Sequence, residues 1–152
     1  MRYPTFFGAI VMSFMIALFV LPATAQQRPA EYTNPAVSDE TDPAYWLDLG
    51  GLFATYGNYT AAVEAYQKAL ELNPNFHQAY FDLGLAYMEM KKLDQALEQI
   101  NRAISLSPGV AHYYYGRGRV MLLSGQSVKA NEDFQKAADM GDRDAKAYLQ
   151  KQ

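Results

Sequence analysis

Apolar and polar positions divide the chain into three stretches with different patterns. Residues 6–21 form an apolar run that only Gly8 and Ser13 interrupt. Residues 26–41 contain two prolines and mixed polar side chains without an apolar period, which is typical of a linker or a disordered arm. From Asp42 onward the pattern changes and predicts helices in pairs. We expect these helices near 43–56, 60–72, 76–90, 93–106, 110–124 and 127–140.

The stretch that begins at Asp42 aligns with itself twice at an offset of 34 residues. A fixed period of this length indicates stacked supersecondary units, because one unit alone cannot bury its apolar face. Small and bulky residues recur at fixed positions in each unit, so we expect large side chains to pack beside small ones where helices cross. The positions in register are Trp46, Tyr80 and Tyr114; Gly50, Gly84 and Gly118; Phe53, Tyr87 and Met121; Ala62, Ala96 and Ala130; Tyr66, Ile100 and Phe134; and Ala69, Ala103 and Ala137.

The first two units carry a recognisable motif. Trp46-x-x-Leu49-Gly50-x-x-Phe53, followed by Ala62-x-x-x-Tyr66-x-x-Ala69 and Pro74, resembles the tetratricopeptide signature, and the second unit repeats it nearly as well. The resemblance covers residues 43–142. It implies an all-α fold, an α-solenoid of three antiparallel helix-turn-helix repeats near 43–76, 77–110 and 111–142, within a domain spanning 42–142. We expect residues 143–152 to form a C-terminal capping helix, because a solenoid otherwise ends with an open apolar face.

The third unit departs from the motif at three positions. Arg117 replaces the leucine, Ser127 replaces an aromatic residue or a leucine, and Asp142 stands where a proline is expected. The end of this unit, from Phe134 to Ala145, resembles a Sel1-like repeat. We therefore expect the same antiparallel helix pair, with the repeat subtype left open between the two families.

The apolar run at the start of the chain has the features of a targeting segment. Arg2 precedes it, and Pro22 and then Ala23-Thr24-Ala25 follow it, which is the small-x-small pattern that a signal peptidase requires. We predict a signal peptide over residues 1–25 with cleavage between Ala25 and Gln26, a linker over 26–41, and a periplasmic or secreted protein. The alternative is an uncleaved membrane anchor, although this run is shorter than the ~20 residues that span a bilayer.

Composition excludes several classes of function. The formal net charge is −3 and the basic residues form no stripe, which argues against nucleic-acid binding. The chain has no cysteine, so disulfides and thiolate metal sites are excluded. His77 and His112 begin successive repeats, but two histidines without an adjacent carboxylate are a weak metal signal. We expect no enzymatic activity, no catalytic residues, no cofactor and no metal.

The tetratricopeptide resemblance implies a binding face on the first helix of each repeat. We predict an adaptor or scaffold that binds a peptide or a helix of another protein there, and the alternative is a structural subunit that self-associates in an envelope assembly. Groove positions that clamp a C-terminal carboxylate in some relatives hold no cationic side chain in this chain, so a carboxylate terminus should be repelled. The predicted groove residues are Leu47, Asp48, Phe81, Asp82, Leu85, Met88, Tyr115, Arg119 and Leu122.

Overall fold

The computed structural model describes residues 40–151, which form seven α-helices and contain no strand. This confirms the predicted all-α fold. The predicted signal peptide, its cleavage site between Ala25 and Gln26, and nearly all of the linker lie outside the described residues. The helices are α1 (Pro43–Thr55), α2 (Tyr59–Leu72), α3 (His77–Glu89), α4 (Leu93–Leu106), α5 (Ala111–Leu123), α6 (Ser127–Asp139) and α7 (Arg143–Leu149).

Local sequence signals set the helix boundaries. The side chain of Asp42 accepts a hydrogen bond from the Ala44 backbone nitrogen at 2.9 Å, and Pro43 takes the first position of α1. Asn58 caps α2 in the same way through the Ala61 nitrogen at 3.2 Å. The turn inside each repeat uses one residue with positive φ. Gly57 and Gly125 serve in the first and third repeats, and Lys91 adopts φ 61° in the second.

The helices pack as a stack of pairs. The pairs α1 with α2, α3 with α4, and α5 with α6 make the most extensive contacts. Adjacent pairs then contact each other through α2 with α3 and α4 with α5, and α7 packs against α6. This neighbour-only arrangement is the one expected of a solenoid. No helix within residues 40–151 combines the length and the hydrophobicity required to cross a bilayer.

Small residues permit the close packing of the two helices in each repeat. A Cβ atom built at Gly84 would lie 2.6 Å from Ile100 Cγ1, and one at Gly118 would lie 2.6 Å from Phe134 Cε1. Gly50 abuts the Tyr66 ring in the same manner. A methyl group at any of these glycines would therefore push the paired helices apart. The predicted match of small and bulky positions is confirmed in all three repeats.

The unusual Arg117 has a partner on the second helix of its own repeat. Its Nε and Nη2 atoms donate to the two carboxylate oxygens of Asp133 at 2.7 and 2.8 Å, and Nη1 donates to Asn101 Oδ1 at 2.8 Å. Donation of these hydrogen bonds to Asp133 raises the pKa of Arg117 despite the opposing effect of burial. A bidentate ion pair thus stands at the repeat position that Leu49 and the buried Leu83 occupy in the other repeats.

Candidate functional site

Two neighbouring pockets lie on either side of Arg119, one lined by residues of α1, α2, α3 and α5 and the other by residues of α5, α6 and α7. The first, called the acidic pocket, has a volume of about 220 Å³, and the second, called the apolar pocket, has a volume of about 250 Å³. Arg119 lines both, and we call the two pockets together the groove. The acidic pocket is lined by Ala54, Tyr59, Tyr66, Asp82, Leu85, Ala86, Met88, Glu89 and Arg119. The apolar pocket is lined by Tyr115, Arg119, Leu122, Leu123, Phe134 and Tyr148.

The structure brings six of the nine predicted groove residues together at these pockets. Asp82, Leu85 and Met88 lie in the acidic pocket, and Tyr115 and Leu122 lie in the apolar pocket beside Arg119. Met88 is buried, so it forms the floor of its pocket and not an exposed contact. Leu122 and Leu123 keep 38% and 52% of their surface exposed, which gives the apolar pocket accessible aliphatic area.

Three predicted residues lie elsewhere. Phe81 is 2% exposed and its ring stacks on the Tyr113 ring with centroids 4.6 Å apart, so it packs between α3 and α5 and offers no surface to a ligand. Leu47 is partly buried against the core. Asp48 is exposed and lines neither pocket. The prediction that Phe81 is a groove residue is therefore wrong: its side chain belongs to the core between α3 and α5.

Four aromatic residues of the groove were missed because they lie outside the first helices. Tyr59 and Tyr66 of α2 form walls of the acidic pocket, and Phe134 of α6 and Tyr148 of α7 form walls of the apolar pocket. Tyr66 and Phe134 occupy the same position of their repeats. That shared register was a usable signal, since both rings are buried against a helix-crossing glycine and each forms the inner wall of a pocket.

The Asp82 carboxylate dominates the electrostatics of the acidic pocket. Gln78 Nε2 donates to both of its oxygens at 3.1 Å each. Burial raises the pKa of Asp82, and the Gln78 hydrogen bond and the charge of His112 offset this only in part. Burial, reinforced by the negative charge of Asp82, raises the pKa of Tyr66 and Tyr113 to about 12. The negative charge of Asp82 on α3 therefore acts on a tyrosine of α2 and on a tyrosine of α5.

A hydrogen-bonded chain holds the amide of Gln78 in place. The Tyr113 hydroxyl donates to Gln78 Oε1 at 3.2 Å, and His77 Nδ1 lies 2.7 Å from the same hydroxyl oxygen. With its oxygen held by Tyr113, the amide of Gln78 presents its nitrogen to Asp82. His77 thus has a structural role at the junction of the second and third repeats.

One group of side chains has the composition of a cation site. His112, Asp142 and Asp144 place one potential ligand atom each within 4.8 Å of one another. Asp142 is already engaged, because His112 Nδ1 lies 3.0 Å from its Oδ2 and the Ala145 nitrogen donates to its Oδ1 at 2.8 Å. We assign the group to the start of α7 and its docking on the third repeat, since one oxygen of Asp142 caps α7 and the other contacts His112 of α5.

A larger hollow of about 450 Å³ lies between α3 and α4. Its lining is mainly polar and charged, and it contains none of the predicted groove residues. A peptide site needs accessible apolar area to offset the entropy of ordering the peptide, and the groove supplies that area. The hollow is lined by Tyr80, Glu98, Gln99, Asn101, Arg102 and Ser105.

Comparison with known proteins identifies the repeats. A family model described as "TPR repeat" matches residues 50–91, and one described as "Tetratricopeptide repeat" matches residues 77–110. The cell division cycle protein 27 homolog of Caenorhabditis elegans is 32% identical over 98 residues, which is 64% of this chain and 12% of that protein. The chain therefore spans a small part of that curated relative.

Solved structures with the same fold support the assignment. The crystal structure of MamA is 31% identical and superposes with a TM-score of 0.63, covering 71% of this chain and 63% of that chain. The first tetratricopeptide domain of Spaghetti (RPAP3), bound to an HSP90 peptide, is 21% identical with a TM-score of 0.68, covering 74% of this chain and 91% of that chain. The chain contains tetratricopeptide repeats and has the helical solenoid fold of these proteins.

Proposed function

We propose that this protein is an exported adaptor or scaffold that binds a peptide or a helix of another protein in the groove. Tetratricopeptide repeats generally serve protein–protein interaction and not catalysis, and the RPAP3 domain of the same fold was solved with a peptide. The observation that carries the proposal is the accessible apolar surface of Leu122 and Leu123 beside two charged groups, Asp82 and Arg119. Apolar area supplies affinity, and fixed charges of opposite sign supply orientation.

Export is the second part of the proposal. It rests on the apolar run of residues 6–21, on the basic Arg2 before it and on the small residues that precede Gln26. We place the protein in the periplasm or outside the cell. The N-terminal sequence of the purified mature protein tests this: we expect it to begin at Gln26, and a protein that starts at Met1 in the membrane fraction would contradict it.

A single charge placed in the apolar pocket tests the binding role. Leu122→Asp should weaken the affinity for any captured peptide by about tenfold or more, because the new carboxylate must be desolvated when the pocket is covered. Isothermal titration calorimetry measures this affinity. Leu122 is exposed at its tip, so the melting temperature should change little.

Val128→Asp is the matched control for this variant. Val128 is an exposed apolar residue of α6 that lines neither pocket. The control variant should bind like the wild type. Equal affinity in Leu122→Asp and the wild type, with the fold intact, would remove the groove as the binding site.

A second candidate function, self-association as a structural subunit of an envelope assembly, is favoured by a different surface. Leu52 of α1 is 52% exposed, whereas Ala86 and Val120, at the same repeat position, are 2% and 0% exposed. The helices α3 and α5 each pack against the preceding repeat, whereas α1 has no preceding repeat within the described residues. A second copy could cover Leu52. Light scattering distinguishes the candidates: a mass that grows with concentration and is reversed by Leu52→Glu supports self-association, and a constant monomer mass argues against it.

A further inference from the structure

We infer that the acidic pocket receives the side chain of a lysine or arginine of the bound peptide, while an apolar side chain of the same peptide occupies the apolar pocket. This inference rests on the proposed function and adds the chemistry of the partner to it. The partner that it defines is a segment that combines a basic with an apolar residue.

The carboxylates of the acidic pocket lack an ion-pair partner in the described part of the chain, and the charge of His112 acts on Asp82 without forming such a pair. None of the ion pairs formed within residues 40–151 involves Asp82 or Glu89, which both line this pocket. Among the side chains that the structure describes, only the neutral amide of Gln78 donates hydrogen bonds to Asp82. Arg119 lines the same pocket without pairing with either carboxylate. A partly buried carboxylate without a counter-charge is unfavourable, and a ligand cation would relieve that cost.

The walls of the acidic pocket match the rest of a basic side chain. Ala54 and Leu85, which are partly exposed, provide apolar contact for the aliphatic stem of lysine or arginine. The partly exposed ring of Tyr59 provides aromatic surface on which a cation is favourably placed. An acidic side chain would find the same apolar contacts but would meet two carboxylates, Asp82 and Glu89, against the single cation Arg119, so the excess of negative charge favours a basic side chain.

The first repeat contains an internal control for this idea. Asp48 occupies the same repeat position as Asp82, one repeat earlier. Asp48 is exposed and lines neither pocket. Asp48→Asn and Asp82→Asn therefore make the same change in net charge and in side-chain chemistry, but only the second removes a carboxylate from the acidic pocket.

The experiment begins with a library of random nine-residue peptides displayed on phage and selected against the full chain. The selected peptides should share a lysine or arginine near an apolar residue. Replacement of that basic residue with glutamine should weaken binding about tenfold or more to the wild type and to Asp48→Asn, but less than about twofold to Asp82→Asn. This double-mutant cycle assigns the peptide cation to Asp82.

The outcomes separate the inference from the proposed function. Two results would overturn the inference without contradicting the proposed function. The selected peptides would share no basic residue, or the glutamine peptide would lose affinity equally for all three proteins. If no peptide is selected at all, the proposed function fails and the inference fails with it.

A measurement on the wild type tests the inference even if the Asp82→Asn variant does not fold. The pKa of Asp82 can be followed by carboxyl ¹³C nuclear magnetic resonance with and without a selected peptide. The titratable or charged groups that face Asp82 are Glu89 and Arg119 in the pocket, Tyr66, Tyr113 and His112. A bound cation should lower the pKa of Asp82, because it favours the ionised form. An unchanged or raised pKa in the complex would contradict the inference.

The Asp82→Asn substitution should weaken the binding of a basic peptide but stabilise the folded protein at neutral pH. Burial raises the pKa of Asp82 above its ordinary value of 3.8, so the ionised side chain opposes folding. The stability of the wild type relative to Asp82→Asn should therefore fall as the pH rises through 3.8 and the folded pKa. Thermal melts of both proteins at pH 3 and pH 7 check the sign. The melting temperature of Asp82→Asn minus that of the wild type should be larger at pH 7 than at pH 3, and a smaller difference at pH 7 would contradict the prediction.

Discussion

Replacement of Phe134 with alanine is expected to lower the free energy of unfolding by about 3–5 kcal/mol. The Phe134 ring is fully buried and lies against Gly118 of α5. Its centroid is 4.3 Å from that of Tyr148 in α7 and 5.6 Å from that of Tyr115 in α5. One ring therefore joins three helices, and its removal leaves a cavity that Gly118 cannot fill because it has no side chain.

Urea denaturation of the two proteins measures this loss, and Val128→Ala on the same helix is the matched control. Val128 is 75% exposed, so its truncation should change the free energy of unfolding by less than about 0.5 kcal/mol. A loss below about 1 kcal/mol for Phe134→Ala would mean that this crossing does not hold α5, α6 and α7 together.

The replacement of Arg117 with leucine is expected to be the second large effect, a loss of about 2–3 kcal/mol in the free energy of unfolding. The change restores the residue type of the other repeats but leaves the buried Asp133 without its cation. Breaking a fully buried pair costs about 3–5 kcal/mol, and the partial exposure of Arg117 reduces that figure. The apolar leucine cannot satisfy the two carboxylate oxygens of Asp133.

The double variant Arg117→Leu with Asp133→Ala provides the control. It introduces the residues that the first repeat carries at the same positions, Leu49 and Ala65. Most of the lost stability should return, because no buried charge remains. If the double variant were less stable than Arg117→Leu, the ion pair would not be the reason for the departure of the third repeat from the motif.

The helices and their packing could be predicted from the sequence because both depend on local spacing. Helix starts follow from Asp42 and Asn58, and the crossings follow from the match of Gly84 with Ile100 and of Gly118 with Phe134. These pairs lie 16 residues apart, within one repeat. The 34-residue period presents the same spacing in three repeats, so a pairing predicted in one repeat can be compared with the equivalent positions of the other two.

The groove was less predictable because its lining depends on contacts between repeats. Phe81 occupies a binding-face position by register, yet its ring inserts against Gly116, where a Cβ atom would lie 2.8 Å from Phe81 Cζ. The space that receives Phe81 is thus created by a glycine 35 residues later in the chain. The partner of Arg117 was missed for a different reason: it lies within the same repeat, but Asp133 stands where the other repeats have Ala65 and Gln99, so the repeat pattern does not indicate the pair.

The most direct test of the central idea is a map of where a selected peptide lies on the solenoid. Backbone amide chemical shifts of the ¹⁵N-labelled protein should change most around Leu85, Arg119 and Leu122 when the peptide is added. Changes centred instead on Tyr80 and Arg102, which line the hollow between α3 and α4, would contradict the assignment of the groove as the binding site.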